Sequence, residues 1–193
     1  LEPVKSCPKC HLRYPNDATY CVNDRTDLVP TTDARVGTLV AKRYLVEEIL
    51  GEGGMATVYR ARHKNVERPV ALKVIQGTLA ADHVVRERFR REAQNARKLA
   101  HPNIIDIFDH GETEDGSCFI AMELLPGMSL SEALARAKMD LKRALPIMVQ
   151  SAKGLARAHD FDVLHRDIKP ENIFLARSDD GREMVKLLDF GIA

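Results

Sequence analysis

Net charge is almost missing from this chain: 29 Lys and Arg set against 28 Asp and Glu leave +1 over 193 residues. A partner of one sign, such as nucleic acid or an anionic membrane surface, is therefore not expected for the chain as a whole. No apolar run nears the roughly 20 residues that cross a bilayer, and no charged-then-apolar leader opens the sequence. A cytoplasmic location is the expectation, although a longer form of the protein is free to carry an anchor. The first residue is Leu rather than Met, which reads as a fragment boundary. Cysteine is sparse as well, four in all, yet Cys7, Cys10 and Cys21 crowd the first 21 positions. In a reducing compartment that crowding favours a metal over a disulfide. What remains is an ordinary globular mix, 45% hydrophobic and 30% charged, enough for one sizeable domain and a small appendage.

Residues 1–30 are the appendage. Cys7-Pro8-Lys9-Cys10 is a C-x-x-C knuckle, and Cys21-Val22-Asn23-Asp24 repeats its shape after ten intervening residues with Asp24 in the last place. Two knuckles across a short loop suit four-coordinate zinc, and the unit resembles half of a zinc ribbon. The departure is the missing fourth cysteine: Asp24 would ligate through oxygen, with His11 as the rival through its ring nitrogen. The alternative is a degenerate ribbon that binds no metal, although so small a unit has little core without a staple. Lys5, Lys9, Arg13 and Arg25 are scattered and offset by Asp17, Asp24 and Asp27, so the unit is expected to meet a protein rather than nucleic acid. Residues 31–43 are polar, with one Gly, and read as a linker.

From Tyr44 the pattern turns strand-like, and Gly51-Glu52-Gly53-Gly54-Met55-Ala56-Thr57-Val58 separates two apolar runs. Glycines there let backbone N–H groups approach phosphates with no Cβ in the way. In Val70-Ala71-Leu72-Lys73-Val74 the odd and even positions take opposite faces, which puts small Ala71 beside the Lys73 ammonium. Residues 84–99 read as a helix with Val85, Phe89, Ala96 and Leu99 on one face. Glu92 falls on that face too, where a carboxylate needs a partner, and Lys73 is the natural one. Strands are expected over 104–108 and 118–122 across the turn Asp115-Gly116, with Cys118 as a small core residue. A short helix follows from Ser129 to about Ala137. A longer one spans about Leu141 to His159, with Leu141, Leu145, Met148, Ala152 and Leu155 as its buried stripe. Pro146 either starts this longer helix or kinks it.

That longer helix leads into His165-Arg166-Asp167-Ile168-Lys169-Pro170-Glu171-Asn172. Asp167 suits acceptance of a proton, Lys169 suits a charged phosphoryl group, and Asn172 suits a metal ion through its carbonyl oxygen. A second hairpin, Ile173–Leu175 and Val185–Leu188 across Asp180-Gly181, delivers Asp189-Phe190-Gly191 twenty-two residues after Asp167. Asp189 opposite Asn172 makes a hard-oxygen site of the kind magnesium takes.

Taken together, the glycine run, V-A-L-K, H-R-D-I-K-P-E-N and D-F-G resemble the bacterial branch of the serine/threonine protein kinases over roughly residues 38–193. The resemblance implies an α+β, protein kinase-like fold: an antiparallel-sheet N-lobe with one long helix, then the start of a helical C-lobe. It also implies transfer of the ATP γ-phosphoryl group to Ser/Thr hydroxyls, with Mg²⁺ or Mn²⁺ as cofactor. On this alignment Gly51, Glu52, Gly53, Gly54, Val58 and Ala71 cover the nucleotide, and Lys73 fixed by Glu92 holds its phosphates. Met122 is the gatekeeper, and Glu123 and Leu125 offer hinge backbone to adenine. Phe174 lies under the nucleotide, Asn172 and Asp189 hold the metal, and Asp167 and Lys169 serve the transferred group. Lys at position 169 favours Ser/Thr over Tyr acceptors, while His165 and Phe190 read as packing residues. Ala56 departs from the pattern by replacing its third glycine. The chain ends two residues after Gly191, before an activation segment, so the front portion of a longer and by itself poorly active kinase is expected. A pseudokinase-like, ATP-binding regulatory module is the alternative.

Overall fold

Alternation of apolar and polar residues builds a six-stranded antiparallel sheet, in the order β4-β5-β6-β7-β9-β8. The computed structural model describes all residues except 1–3, 8, 10–12, 15, 16, 32, 34, 54, 55, 67, 76–81, 114, 178–180 and 191–193. The strands of this sheet are β4 (Leu39–Val40), β5 (Tyr44–Glu52), β6 (Ala56–His63), β7 (Arg68–Ile75), β8 (Ile107–Glu112) and β9 (Cys118–Glu123). One face buries Val46, Tyr59, Val70, Leu72, Val74 and Phe119 in a common core. On the other, Ile75, Ile120 and Cys118 pack with Phe89 and Ala93 of helix α1 (His83–Lys98). Asp82 accepts the Val84 N–H at 2.8 Å at the start of α1, and Pro102 follows its end, where a further helical turn is disfavoured.

A smaller sheet lies N-terminal to this. It has the order β2-β1-β3 and is built from β1 (Val4–Ser6), β2 (Arg13–Tyr14) and β3 (Val29–Thr31). Cys7, Cys21 and Leu28 are buried together there, with Tyr14 and Ala18 against them. The stretch read as a linker, 31–43, carries structure of its own. Gly37 N–H donates to the Val46 carbonyl at 2.8 Å, Asp33 accepts the Tyr59 hydroxyl at 2.6 Å, and Arg35 pairs with Asp115 at 2.7 Å. Polar composition hid this: Val40 is buried in the main core with Val36 and Ala41 against it, and Asp33 and Arg35 are tied down by side-chain bonds.

After the sheet, Gly127–Ser129 forms a strand, β10. It pairs with β11 (Ile173–Arg177), which pairs with β12 (Glu183–Leu187). Ser129 then caps α2 (Leu130–Arg136) in a reciprocal capping box with Glu132. Asp140 caps α3 (Leu141–His159) by accepting the Arg143 N–H. The helix begins at Leu141 and runs through Pro146 instead of starting there. Two sequence expectations are corrected here. Residues 104–106 are not strand: β8 starts at Ile107, and Ile104 instead makes a lone parallel bridge to Leu187 of β12. The buried side of α3 is Ile147, Ser151, Gly154 and Ala158, whereas Leu141, Leu145 and Met148 are 71%, 52% and 68% exposed. The reason is close approach. A Cβ on Gly154 would lie 2.8 Å from Leu187 Cδ1 and 3.0 Å from the Asn103 carbonyl oxygen, so only small residues fit where α3 meets β12.

Candidate active site

Four neighbouring strands assemble the first half of the site. In register, Gly51 of β5 sits opposite Val58 of β6, Val58 opposite Lys73 of β7, and Ala71 of β7 opposite Met122 of β9. Directly opposed residues share a face, as do residues two apart, so Val58, Ala71, Lys73 and Met122 lie on one side of the sheet. That is the side α1 covers, and Lys73 Nζ stands 5.9 Å from the Phe89 ring. Glu52 pairs with Thr57, and the Gly53 N–H donates to the Ala56 carbonyl at 2.9 Å, closing the glycine hairpin; Gly54 lies outside the described residues.

Lys73 reaches across to the second half. Its ammonium lies 2.7 Å from Asp189 Oδ1, with the lysine 12% exposed. The expected partner, Glu92, is seated in α1 between Phe89 and Ala93 of the packed face, but its side chain lies outside the described residues. From Asp189 an unbroken set of bonds continues into the loop 165–172. Leu188 donates its N–H to the Asn172 carbonyl at 2.9 Å and receives His165 Nε2 on its own carbonyl at 2.8 Å. Asn172 is buried and donates Nδ2 to the Asp167 carbonyl at 2.8 Å and to Asp167 Oδ2 at 3.0 Å. Spending the amide nitrogen on Asp167 leaves the carbonyl oxygen of Asn172 as the atom to offer a cation. Lys169 Nζ closes the set at 2.7 Å from Asp167 Oδ2.

Electrostatics follow from these pairs. The Lys169 ammonium holds the Asp167 carboxyl below its ordinary range, and Asp167 in turn raises Lys169. Burial pushes His165 down, so its ring is neutral and packs at 4.6 Å against Phe190, which is fully buried. Two non-glycine residues of the site, Arg166 (φ 63°) and Asp189 (φ 55°), sit in the left-handed region. Such conformations cost about 1–3 kcal/mol each and survive where surrounding bonds over-determine them. Here Arg166 directly precedes the carboxylate of Asp167, and Asp189 is itself the second carboxylate to be aimed.

Of the residues expected to form a hinge and gatekeeper, Glu123 ends β9 and receives Lys186 at 2.6 Å; Met122 and Leu125 are half-buried beside the α1 core. Phe174 is half-buried in β11, opposite Ser129 on one side and Lys186 on the other.

The family model for the protein kinase domain matches residues 44–193. The chain belongs to the protein kinase family. It is 44% identical over 165 residues to the serine/threonine-protein kinase pkn3 of Myxococcus xanthus, covering 85% of this chain and 30% of that protein. It is 43% identical over 159 residues to the serine/threonine-protein kinase PrkC of Bacillus subtilis, covering 82% and 24%. A crystal structure of the Mycobacterium tuberculosis PknI kinase domain superimposes with a TM-score of 0.71 at 35% identity, over 84% of this chain and 64% of that one. The chain thus spans a third or less of the length of these two curated relatives. Among the described residues no helix is long and apolar enough to cross a membrane.

The N-terminal unit lies outside the matched span and has its own cluster. Ligand atoms of Cys7, Cys21 and Asp24 lie within 4.8 Å of one another. Asp24 is 3.5 Å from Cys7 Sγ and accepts the Thr26 N–H at 3.0 Å. That N–H first, and the Cys21 thiol next, pull the Asp24 carboxyl down to about 2. Tyr14 Oη reaches Cys21 Sγ at 3.1 Å, a contact that no spacing of the two residues signals. Cys10 and His11, the other expected ligands, lie outside the described residues. The residue the sequence reading passed over entirely is Lys186. It is buried in β12, and its place between the apolar Val185 and Leu187 is the signal in the sequence that marks it.

Proposed function

We propose that this chain carries the nucleotide site and catalytic loop of a serine/threonine protein kinase. The observation that supports it is the continuous bonding from Lys73 through Asp189 and Asn172 to Asp167 and Lys169. A cation for phosphate, two oxygen donors for a metal, a base and a second cation thus meet in one place. The donor set suits magnesium, since the Asp189 carboxylate and the Asn172 carbonyl are hard oxygens. Bound with ATP, the ion would offset charge on the phosphates. Lys73 would hold the α and β phosphates. Asp167 would orient the acceptor hydroxyl and take its proton as the oxygen attacks the γ-phosphorus. The bond from that phosphorus to the bridging oxygen breaks, and ADP leaves. Lys169 would neutralise the γ-phosphoryl oxygens. Positioning and electrostatics are the whole of the protein's task in such a transfer. Calorimetric titration of the full chain with ATP is expected to give binding that requires magnesium and weakens more than about tenfold in Lys73→Met. Equal binding by that variant, or none by the wild type, overturns the reading.

We also propose that residues 1–30 bind one zinc ion as a unit separate from the kinase domain at 44–193. Cys7, Cys21 and Asp24 supply three ligands, and Cys10 supplies the fourth. The cluster spacing is near what tetrahedral bonds of about 2.0–2.3 Å require, and Asp24 is held ionised as a ligand must be. Two buried thiols beside a half-buried carboxylate support that use in so small a core. The unit would then act as a protein-binding head, with the whole protein working in the cytoplasm. Metal analysis after purification without chelator is expected to find about one zinc per chain, falling sharply in Cys21→Ser. Less than about a tenth of an equivalent in the wild type overturns it.

A further inference from the structure

The ion pair of Lys186 with Glu123 takes no part in the chemistry above, yet it is the most deeply buried pair of opposite charges among the described residues, with side chains 8% and 19% exposed. Charges so far from water persist only when paired and hydrogen-bonded, and this pair is both. Lys186 Nζ lies 2.6 Å from Glu123 Oε1 and donates to the Ile104 carbonyl at 3.4 Å. Glu123 Oε1 also accepts the Asp106 N–H at 2.8 Å. The peptide between them is clamped from both sides. Leu187 N–H bonds the Asn103 carbonyl at 2.9 Å, Ile105 N–H the Leu187 carbonyl at 3.0 Å, and Glu123 N–H the Asp106 carbonyl at 3.0 Å.

The two ends of the pair stand at the two ends of the nucleotide site. Glu123 is the last residue of β9, where the chain leaves for Leu124–Pro126. Lys186 is in β12, three residues before Asp189, and Leu188 between them is the residue bonded to both Asn172 and His165. We propose, resting on the kinase reading, that Lys186 is a positioning residue: its bond to Glu123 sets the hinge backbone at a fixed distance from Asp189. The base and the metal-bound phosphates of one nucleotide are then received together. A site preorganised in this way binds a ligand that bridges both ends more tightly than two uncoupled halves do.

The test is calorimetric titration of the full chain with ATP and magnesium, alongside thermal unfolding. Lys186→Met is expected to weaken binding about tenfold, within the range for coupled network residues. That variant leaves Glu123 buried and unpaired and risks unfolding, so the deciding protein is the double variant E123M/K186M, which has no orphaned charge. Its unfolding midpoint is expected to return to near the wild-type value, because apolar replacement of a buried pair is often neutral, while its binding stays about tenfold weaker. Lys186→Arg, which keeps the charge, is expected to bind within about threefold of the wild type. A double variant that recovers both midpoint and affinity reduces the pair to a structural role and overturns the proposal alone. A wild type that binds no ATP overturns the kinase reading and this proposal together.

Discussion

Asp167→Asn is expected to slow transfer of the γ-phosphoryl group by about 10²–10⁴-fold while leaving the affinity for ATP within about twofold, as removal of a positioned base does. The free-energy equivalent is about 3–5 kcal/mol of transition-state stabilisation. The variant keeps the shape of the loop, because an amide at 167 can still meet Asn172 Nδ2, now 3.0 Å from the carboxylate oxygen. It loses the proton acceptor and the charge that pairs with Lys169 at 2.7 Å. Initial rates of radiolabel transfer from ATP to a protein acceptor, set beside calorimetric binding, separate the two effects. A rate within threefold of the wild type would remove Asp167 from the role of base. If neither form transfers label but both bind nucleotide, the regulatory-module reading gains.

The second large effect concerns stability. Gly127 adopts φ +149°, and a Cβ there would come within 2.1 Å of the Leu175 carbonyl oxygen, a backbone atom that cannot rotate away. Gly127→Ala is therefore expected to cost about 3 kcal/mol, the sum of a disfavoured φ and a broken contact between β10 and β11. For a chain of this size that is a fall of roughly 6–12 °C in the unfolding midpoint. Because Gly127 pairs with Ala176 directly after the hinge, nucleotide binding should weaken as well. An unchanged midpoint would mean that β10 is free to re-seat. By contrast Gly116, also at positive φ but with nothing within 4 Å of a Cβ, carries only the conformational penalty of its turn.

How much was legible beforehand differs from element to element. The strand Arg68–Ile75 was readable because alternation is a two-residue rule that needs no partner to state. The start of α2 at Ser129 is equally local, since Ser129 and Glu132 three residues on cap it within its own first turn. Helix α3 was found but its packed face was misread. Size and hydropathy favoured Leu141, Leu145 and Met148, whereas the partner surface at Leu187 and Asn103 leaves room only for Gly154 and Ser151. A helix can be recognised from its own residues, but which side it buries depends on what arrives from elsewhere. The contacts within 31–43 were illegible for a related reason: Asp33 and Arg35 look like loop residues until Tyr59 and Asp115 are placed beside them.

The residues alone determined the inventory of the site. A lysine two places from an alanine in a strand, Asp167 with Lys169 and Asn172 in one loop, and Asp189 after a hairpin are local patterns with local chemical meaning. The tertiary structure decided who meets whom: Lys73 meets Asp189 across 116 residues of chain, Lys186 meets Glu123 across 63, and Cys7 gathers with Cys21 and Asp24. These are choices among partners far apart in sequence. The desolvation cost of leaving any buried charge unmatched settles them, and that cost exists only once the strands and loops have closed around it.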